Sequence, residues 1–272
     1  MTRITRFLSA LFFVLCYAHG AWALGIEPPP PVQDDSLRIV VIGSSSAQGA
    51  GAKPGDSSWV RRYERHLRET FPATRVYNLA MGGYTTYHCL PTSAPVADGR
   101  PRPDSMRNIT RALALRPSAL LISLPTNDIA DGFDTSEYRR NMDTLVALSA
   151  RDSVPVWICS TQPRNLDSAK RILLSDTRGW ILNHYTGRAI DFWDSVATPE
   201  GFVRPELDFG DGVHVNNAGH AILFERLRAA AIPDTLQTQR PHWPPRGTVA
   251  RPSIVPRPES SAPQGGTRTQ QR

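Results

Sequence analysis

Five short apolar runs alternate along the chain with segments that have helical periodicity, and this alternation constrains the fold most. We predict strands over 37–42, 74–78, 119–124, 154–159 and 188–192, and helices over 58–70, 104–115, 135–151, 167–183 and 216–230. Alternating strands and helices indicate a parallel sheet that is covered on both faces by helices. The sequence therefore predicts a single three-layer α/β/α domain whose functional loops follow the carboxyl ends of the strands.

The segments outside this pattern have compositions of their own. We predict a signal peptide over 1–23, a Pro-rich linker over 24–36, the α/β domain over 37–232 and a disordered tail over 233–272. Two arginines precede the first apolar stretch, and a small-x-small site ends it, as in secretory signal peptides. The tail is rich in Pro, Ser, Gln and Arg, a composition that cannot bury enough apolar surface to fold. We expect a secreted or periplasmic protein with no stable membrane span after signal cleavage.

The net charge of +6 belongs to the two ends of the chain. Arg3 and Arg6 contribute two positive charges, and the tail contributes four more as six arginines against two acidic residues. Residues 24–232 therefore carry no net charge. A basic patch is the usual footprint of nucleic-acid binding, so we expect no nucleic-acid partner.

An acid stands three residues before a histidine in the loop Asp211–His214, directly before the last predicted helix. This spacing lets the carboxylate hold one imidazole nitrogen while the other nitrogen faces a cleft. Such an arrangement is two-thirds of a Ser-His-Asp triad. We therefore predict Asp211 and His214 as catalytic residues.

Two serines compete for the role of nucleophile. Ser57 lies in Gly55-Asp56-Ser57, which follows turn residues and precedes a predicted helix, so Asp56, Ser57 and Ser58 are interpreted as N-cap residues. Ser45 follows the apolar strand 37–42 and opens a Ser/Gly loop. A nucleophile needs this exposed position at the carboxyl end of a strand, near backbone N–H groups that can receive an oxyanion. Ser45 is therefore the predicted nucleophile.

Two further segments extend the pattern into a family resemblance. Asn78–Thr85 follows the second strand, and Pro125–Asp128 follows the third. With Ser45 and Asp211–His214 they form four blocks in an order that resembles the SGNH (GDSL-like) hydrolase family. The resemblance implies a flavodoxin-like strand order. It also implies an oxyanion hole made of the backbone N–H groups of Ser45 and Gly83 and the side-chain amide of Asn127.

The chain departs from the family pattern at two positions. Ser44 stands where the first block has an aspartate, and Pro125 stands where the third block has a glycine. The aspartate is not usually the acid of the triad, so the chemistry is expected to survive its loss. Asp128 is interpreted as a residue that organises its loop, not as a second catalytic acid.

These features predict a serine esterase that works through an acyl-enzyme, and we expect short acyl groups on carbohydrate as its substrates. A lysophospholipase or thioesterase is the enzymatic alternative, and a non-catalytic glycan-binding domain is the alternative from another class. We expect neither a metal nor a cofactor, because the sequence contains no HExxH motif and no paired CxxC. A monomer is expected.

Several other residues stay open at this point. His220 is expected to pack on its helix or face solvent, and His88 follows the second block without an evident partner. Cys89 and Cys159 either pair in an oxidising compartment or remain buried thiols. Arg164, in the loop after the fourth strand, either orients an acidic or hydroxylated substrate or braces its loop.

Overall fold

Five parallel strands form one sheet in a computed structural model that describes residues 36–124 and 126–239. The strands are β1 (Arg38–Gly43), β2 (Arg75–Asn78), β3 (Ala119–Ser123), β4 (Val156–Cys159) and β5 (Ala189–Ile190). Their order across the sheet is β2-β1-β3-β4-β5, and every neighbouring pair is parallel. The predicted parallel sheet and its flavodoxin-like strand order are thus confirmed.

Helices fill the connections between the strands. Within the described residues they are α1 (Ser45–Gln48), α2 (Trp59–Thr70), α3 (Thr86–Cys89), α4 (Ile109–Ala114), α5 (Asn127–Ala130), α6 (Thr135–Arg151), α7 (Ser168–His184), α8 (Asn217–Ala229) and α9 (Ile232–Gln239). Two short 3₁₀ turns lie at Gly55–Ser57 and Pro205–Leu207. The long helices α2, α6, α7 and α8 match the predicted helices to within about one residue at each end, so the strong periodic segments were assigned correctly.

Alternate residues of the strands feed two apolar cores on opposite faces of the sheet, as the strand period of two requires. Ile39 and Val41 of β1 pack with apolar side chains of α2, α8 and α9. Val40 and Ile42 of the same strand pack with side chains of α4, α6 and α7. The sheet is therefore covered on both faces, which confirms the three-layer α/β/α architecture.

Helix α4 is shorter than predicted, because its first turn is replaced by side-chain hydrogen bonds. The prediction began at 104, whereas the helix begins at Ile109. Asp104 instead accepts the Tyr84 hydroxyl and the backbone N–H of Met106. Asn108 then caps the helix by accepting the N–H of Arg111 at 3.1 Å.

The structure also moves the predicted boundary between domain and tail. The prediction assigned 233–272 to a disordered tail, but Ile232–Gln239 forms helix α9. Ile232 and Leu236 lie one helical turn apart, and both are buried in the core on the α2 and α8 face. Burial of these two side chains supplies the apolar contact that composition alone did not indicate, so the folded domain extends at least to Gln239.

The remaining predictions about chain organisation fall outside the described residues. They are the signal peptide over 1–23, nearly all of the linker over 24–36 and the tail from 240 onward. Pro125, where the chain departs from the family pattern, also lies outside the described residues. Within residues 36–124 and 126–239, none of the helices combines the length and apolar character that crossing a membrane requires.

Candidate active site

Ser45 lies at the carboxyl end of β1, where that strand turns directly into α1. The turn is tight, because the N–H of Ser44 donates to the carbonyl of Ser123 on β3 at 3.0 Å. A Cβ on Gly43 would lie 2.6 Å from that same carbonyl oxygen, so only glycine fits there. As the first residue of α1, Ser45 keeps a backbone N–H that no intrahelical carbonyl can accept.

The structure brings the three predicted catalytic side chains together. Nε2 of His214 lies 2.8 Å from Oγ of Ser45, although the two residues are 169 positions apart in the chain. On the other side of the ring, Nδ1 of His214 lies 2.7 Å from Oδ2 of Asp211. A histidine held in this way has Nδ1 protonated and Nε2 free to accept the serine proton.

The carboxylate of Asp211 is held by its own loop. Its Oδ1 accepts the backbone N–H groups of Val213 and His214 at 2.9 and 2.8 Å. Burial tends to raise the pKa of Asp211, but the hydrogen bonds from the side chain and backbone of His214 outweigh it, so the pKa lies below its ordinary value. The acid is therefore ionised at neutral pH.

Contacts from two other loops fix the position of this acid–histidine loop. The carboxylate of Asp208 accepts the N–H groups of Gly210 and Gly212. The carbonyl of Gly212 accepts the N–H of Asn165 at 2.7 Å, and Gly212 has a φ of 66°. A Cβ on Gly51 would lie 2.2 Å from the carbonyl oxygen of Val215, so the loop after α1 packs closely against the residue that follows His214.

Gly83, the first predicted oxyanion-hole donor, lies in an exposed turn after β2. The neighbouring N–H, that of Gly82, is already used, because it donates to the side-chain oxygen of Gln48 on α1 at 2.8 Å. Within the described part of the chain, the N–H of Gly83 donates no hydrogen bond. The turn lies close to the serine, since a Cβ on Gly82 would be 3.8 Å from Cβ of Ser45.

Asn127, the second predicted donor, is the first residue of α5, directly after the β3 loop. Its Nδ2 donates to the carbonyl of Tyr84 at 2.9 Å, which joins the β3 loop to the β2 loop. An amide nitrogen carries two hydrogens, so one remains for a ligand. Within the described residues, N–H hydrogens of Ser45, Gly83 and Asn127 that no acceptor occupies thus lie after the carboxyl ends of three neighbouring strands, β1, β2 and β3.

Asp128 is buried and organises these loops, as predicted from the sequence. Its buried carboxylate accepts both the backbone N–H and the hydroxyl of Thr86 at the start of α3. Burial raises the pKa of Asp128 to about 7, although the hydrogen bonds from Thr86 act in the opposite direction. Within residues 36–124 and 126–239, Asp128 makes no side-chain hydrogen bond to Ser45 or His214, and its bonds join α3 to α5.

The sequence left two roles open for Arg164, and the structure shows which residue its guanidinium contacts. Its Nη1 donates to Oδ1 of Asn127 at 3.0 Å. Burial lowers the pKa of Arg164, while the nearby charges of Asp131 and Asp211 raise it. The guanidinium therefore lies among the candidate site residues, and it holds the oxygen of the amide whose nitrogen is a predicted oxyanion donor.

His220 takes over the capping role that the sequence assigned to the serines before α2. Ser58 occupies the N-cap position, but none of its side-chain atoms bonds to the helix. Instead, Nδ1 of the buried His220 accepts the N–H of Trp59 at 3.3 Å, and its Nε2 donates to the carbonyl of Ala50 at 2.9 Å. The predicted N-cap position is thus confirmed for Ser58, but the predicted side-chain hydrogen bond is not formed, and the buried His220 supplies the acceptor instead.

The remaining open residues have structural roles. His88 stacks on Tyr84 with ring centroids 4.4 Å apart, and its Nδ1 accepts the N–H of Thr85. Cys89 and Cys159 are free, buried thiols in the cores on opposite faces of the sheet. Burial raises the pKa of both, so neither thiol is activated.

The protein has a parallel α/β/α fold, and the polar side chains of its candidate site gather at the carboxyl edge of the sheet. A profile of the GDSL-like Lipase/Acylhydrolase family matches residues 41–222, which is more than half of the chain. The protein therefore belongs to this family, and membership supports a hydrolase. Among curated proteins, the sequence has no match.

Solved structures with the same fold have little sequence in common with this chain. The psychrotrophic esterase EstA from Pseudoalteromonas sp. has a TM-score of 0.52 at 16% identity over 74% of this chain and 98% of its own. The acetyl xylan esterase AlAXEase has a TM-score of 0.55 at 14% identity, over 72% of this chain and 100% of its own. A two-domain esterase (CEX) active on acetylated mannans has a TM-score of 0.51 at 20% identity, over 78% of this chain and 53% of its own. At these identities the likeness shows the fold alone.

Proposed function

We propose that the protein is a serine esterase in which Ser45, His214 and Asp211 are the catalytic triad. The observation that carries the proposal is the continuous hydrogen-bonded path from Oγ of Ser45 through both nitrogens of His214 to the carboxylate of Asp211. A serine hydroxyl is a weak nucleophile by itself, and a base at 2.8 Å is the arrangement that activates it.

The reaction proceeds in two halves. Oγ of Ser45 attacks the acyl carbonyl as Nε2 of His214 takes its proton, and the resulting oxyanion is met by the N–H groups of Ser45, Gly83 and Asn127. The alcohol then leaves with the proton from Nε2, so Ser45 carries the acyl group. A water molecule, deprotonated by His214, attacks this acyl-enzyme, and the acid product leaves as the serine regains its proton.

Hydrolysis of p-nitrophenyl acetate by the full chain tests this assignment. Ser45→Ala is expected to abolish release of p-nitrophenol above the uncatalysed rate, because no other hydroxyl lies on Nε2 of His214 in the described structure. Ser57→Ala is the matched control, since Ser57 lies in the Gly-Asp-Ser of a 3₁₀ turn and is expected to retain full activity. Equal activity of Ser45→Ala and the wild type would refute the nucleophile. A wild-type protein that binds glycan but releases no acyl group would support the non-catalytic alternative.

For the substrate we propose short acyl groups on carbohydrate. Two proteins of similar fold support this choice by their own activities, an acetyl xylan esterase and an esterase active on acetylated mannans. An independent observation concerns Phe209, which lies next to His214. The N–H of Phe209 donates to the carbonyl of His214, and the Phe209 side chain is exposed beside Lys53, whose ammonium lies 4.8 Å from the ring centroid. An exposed aromatic side chain beside a cation suits the apolar face and hydroxyl groups of a sugar ring.

A chain-length series of p-nitrophenyl esters, together with acetylated xylan, tests this substrate class. A carbohydrate deacetylase is expected to lose activity sharply beyond acetate and to release acetate from the polysaccharide. Phe209→Ala is expected to raise KM for the polysaccharide and to leave KM for p-nitrophenyl acetate unchanged. A rate that increases toward long acyl chains would favour the lysophospholipase or thioesterase alternative.

Export from the cytoplasm is also part of the proposal. Its support is the sequence of the first 23 residues, with basic residues before an apolar stretch and a small-x-small site before Leu24. The mass of the protein recovered from an expressing host tests it. A chain that begins at Leu24 is expected, and a chain that retains all of residues 1–23 would contradict export.

A further inference from the structure

The side chain of Asn127 is held at both ends by groups that fix which way its amide faces. The carbonyl of Tyr84 can only accept a hydrogen bond, so the atom 2.9 Å from it must be the amide nitrogen. A guanidinium can only donate, so the atom 3.0 Å from Nη1 of Arg164 must be the amide oxygen. One orientation of the amide satisfies both contacts, and it presents the second hydrogen of Nδ2 for a further acceptor.

We propose that Arg164 is a positioning residue of the oxyanion hole, which both orients and polarises the amide of Asn127. This inference rests on the proposed esterase function. A positive charge on the carbonyl oxygen draws electron density away from the nitrogen, so the remaining N–H becomes a stronger donor. The effect grows as charge develops on the substrate oxygen, and Arg164 therefore stabilises the transition state more than the bound ester.

The loop of Arg164 does not need the guanidinium to hold its shape. Its neighbour Asn165 donates its N–H to the carbonyl of Gly212 at 2.7 Å and accepts the N–H of Val203 on its side-chain oxygen at 3.1 Å. The N–H of Leu166 closes a further bond on the carbonyl of Arg164 at 2.8 Å. Because these bonds fix the backbone, the contact between Arg164 and Asn127 is available for a role in the site.

The environment of Arg164 strengthens its influence on Asn127. Its Nε is buried without a hydrogen-bond partner in the described part of the chain, and the amide of Asn127 is buried as well. A charge acts more strongly where water is excluded. Arg151, which pairs with Asp152, has a side chain that is 69% exposed, so water screens its charge.

A double-mutant cycle with p-nitrophenyl acetate tests the proposal. Arg164→Met keeps the apolar stem of the side chain but removes its charge and donors. It is expected to lower kcat about tenfold with KM unchanged. This is a part of the loss of about a hundredfold or more that removal of a whole donor causes. In an Asn127→Ala background the same substitution is expected to change kcat less than twofold, because the group through which Arg164 acts is gone. Arg151→Met is the matched control and is expected to behave as the wild type.

Arg164→Lys provides a second readout that a role in folding alone would not produce. The ammonium keeps the charge and can still donate to Oδ1 of Asn127, so this variant is expected to retain at least a third of the wild-type kcat. An equal loss from Arg164→Met in both backgrounds would overturn the proposal, as would a lysine variant no better than methionine, or an increase in KM at unchanged kcat. These outcomes are distinct from failure of the esterase function itself, in which Ser45→Ala is as active as the wild type.

Discussion

Replacing Asp211 with asparagine is expected to trap His214 in an unproductive tautomer. Oδ1 of Asp211 accepts two backbone N–H groups, those of Val213 and His214, while Oδ2 faces Nδ1 of the imidazole. An asparagine must keep its carbonyl oxygen on the two N–H donors, because an amide nitrogen placed there would face donors only. Its nitrogen then donates to Nδ1 of His214, the ring proton resides on Nε2, and Nε2 cannot accept the proton of Ser45.

The size of the effect follows from these contacts. Recovering the productive tautomer requires turning the amide over and losing two backbone hydrogen bonds, which costs about 2 kcal/mol. Losing the charged acceptor of the imidazolium costs roughly another 2 kcal/mol, since the Asp211 side chain is 42% exposed and water screens its charge. Together, about 4 kcal/mol corresponds to a loss of roughly 10³-fold in kcat. Asp211→Ala loses only the second contribution, so its kcat is expected to fall roughly 30-fold.

Initial rates on p-nitrophenyl acetate measure this difference, with Ser45→Ala as the background to subtract. The asparagine variant is expected to be roughly 30-fold slower than the alanine variant, although asparagine is closer to aspartate in shape. Asp194→Asn is the matched control, because Asp194 is an exposed surface residue paired with Arg226. An asparagine variant as fast as the alanine variant would show that the backbone N–H groups do not orient the acid, and the reasoning would fail.

Two further predictions concern the stability of the loops around Ser45. Gly51→Ala is expected to lower the free energy of unfolding by about 3 kcal/mol, because Gly51 has a φ of 87° and an added Cβ would contact backbone. Gly55→Ala is the control, because an added Cβ there has open space. In urea unfolding, the free energy of unfolding of this control is expected to stay within about 0.5 kcal/mol of the wild type. His220→Leu leaves the N–H of Trp59 and the carbonyl of Ala50 unpaired and is expected to cost about 3 kcal/mol at pH 8. Burial lowers the pKa of His220 from 6.5, so its contribution is complete above pH 6.5 and is lost as the pH falls below that value. Thermal unfolding between pH 8 and pH 5 should therefore show a steeper loss in the wild type than in His220→Leu, and parallel curves would contradict this role.

Local patterns accounted for most of the sheet and for the residues gathered at its edge. The strand that ends at Gly43 and the Asp211–His214 spacing are both written in contiguous residues, so periodicity and motif were sufficient to predict them. The contact between them joins residues 169 positions apart, and only the parallel strand order implied that their loops would meet.

Contacts between distant residues account for what the sequence did not reveal. Trp59 and His220 are 161 positions apart, so the true cap of α2 could not be distinguished from the serines that stand directly before it. The choice between two roles for Arg164 depended on the position of Asn127, 37 residues earlier. For α9, the spacing of Ile232 and Leu236 was a helical signal, but the polar composition around it favoured a tail.

The long separation between Ser45 and His214 has a consequence for how the chain matures. Synthesis from the N-terminus produces the serine early, while its base arrives only when nearly the whole domain has been made. On the proposed mechanism, a nascent or C-terminally truncated chain carries an inert hydroxyl and cannot attack esters while it is being made. Labelling of the serine by a phosphonate probe would therefore count only finished, folded molecules, which makes it a direct measure of how much of an expressed population has matured.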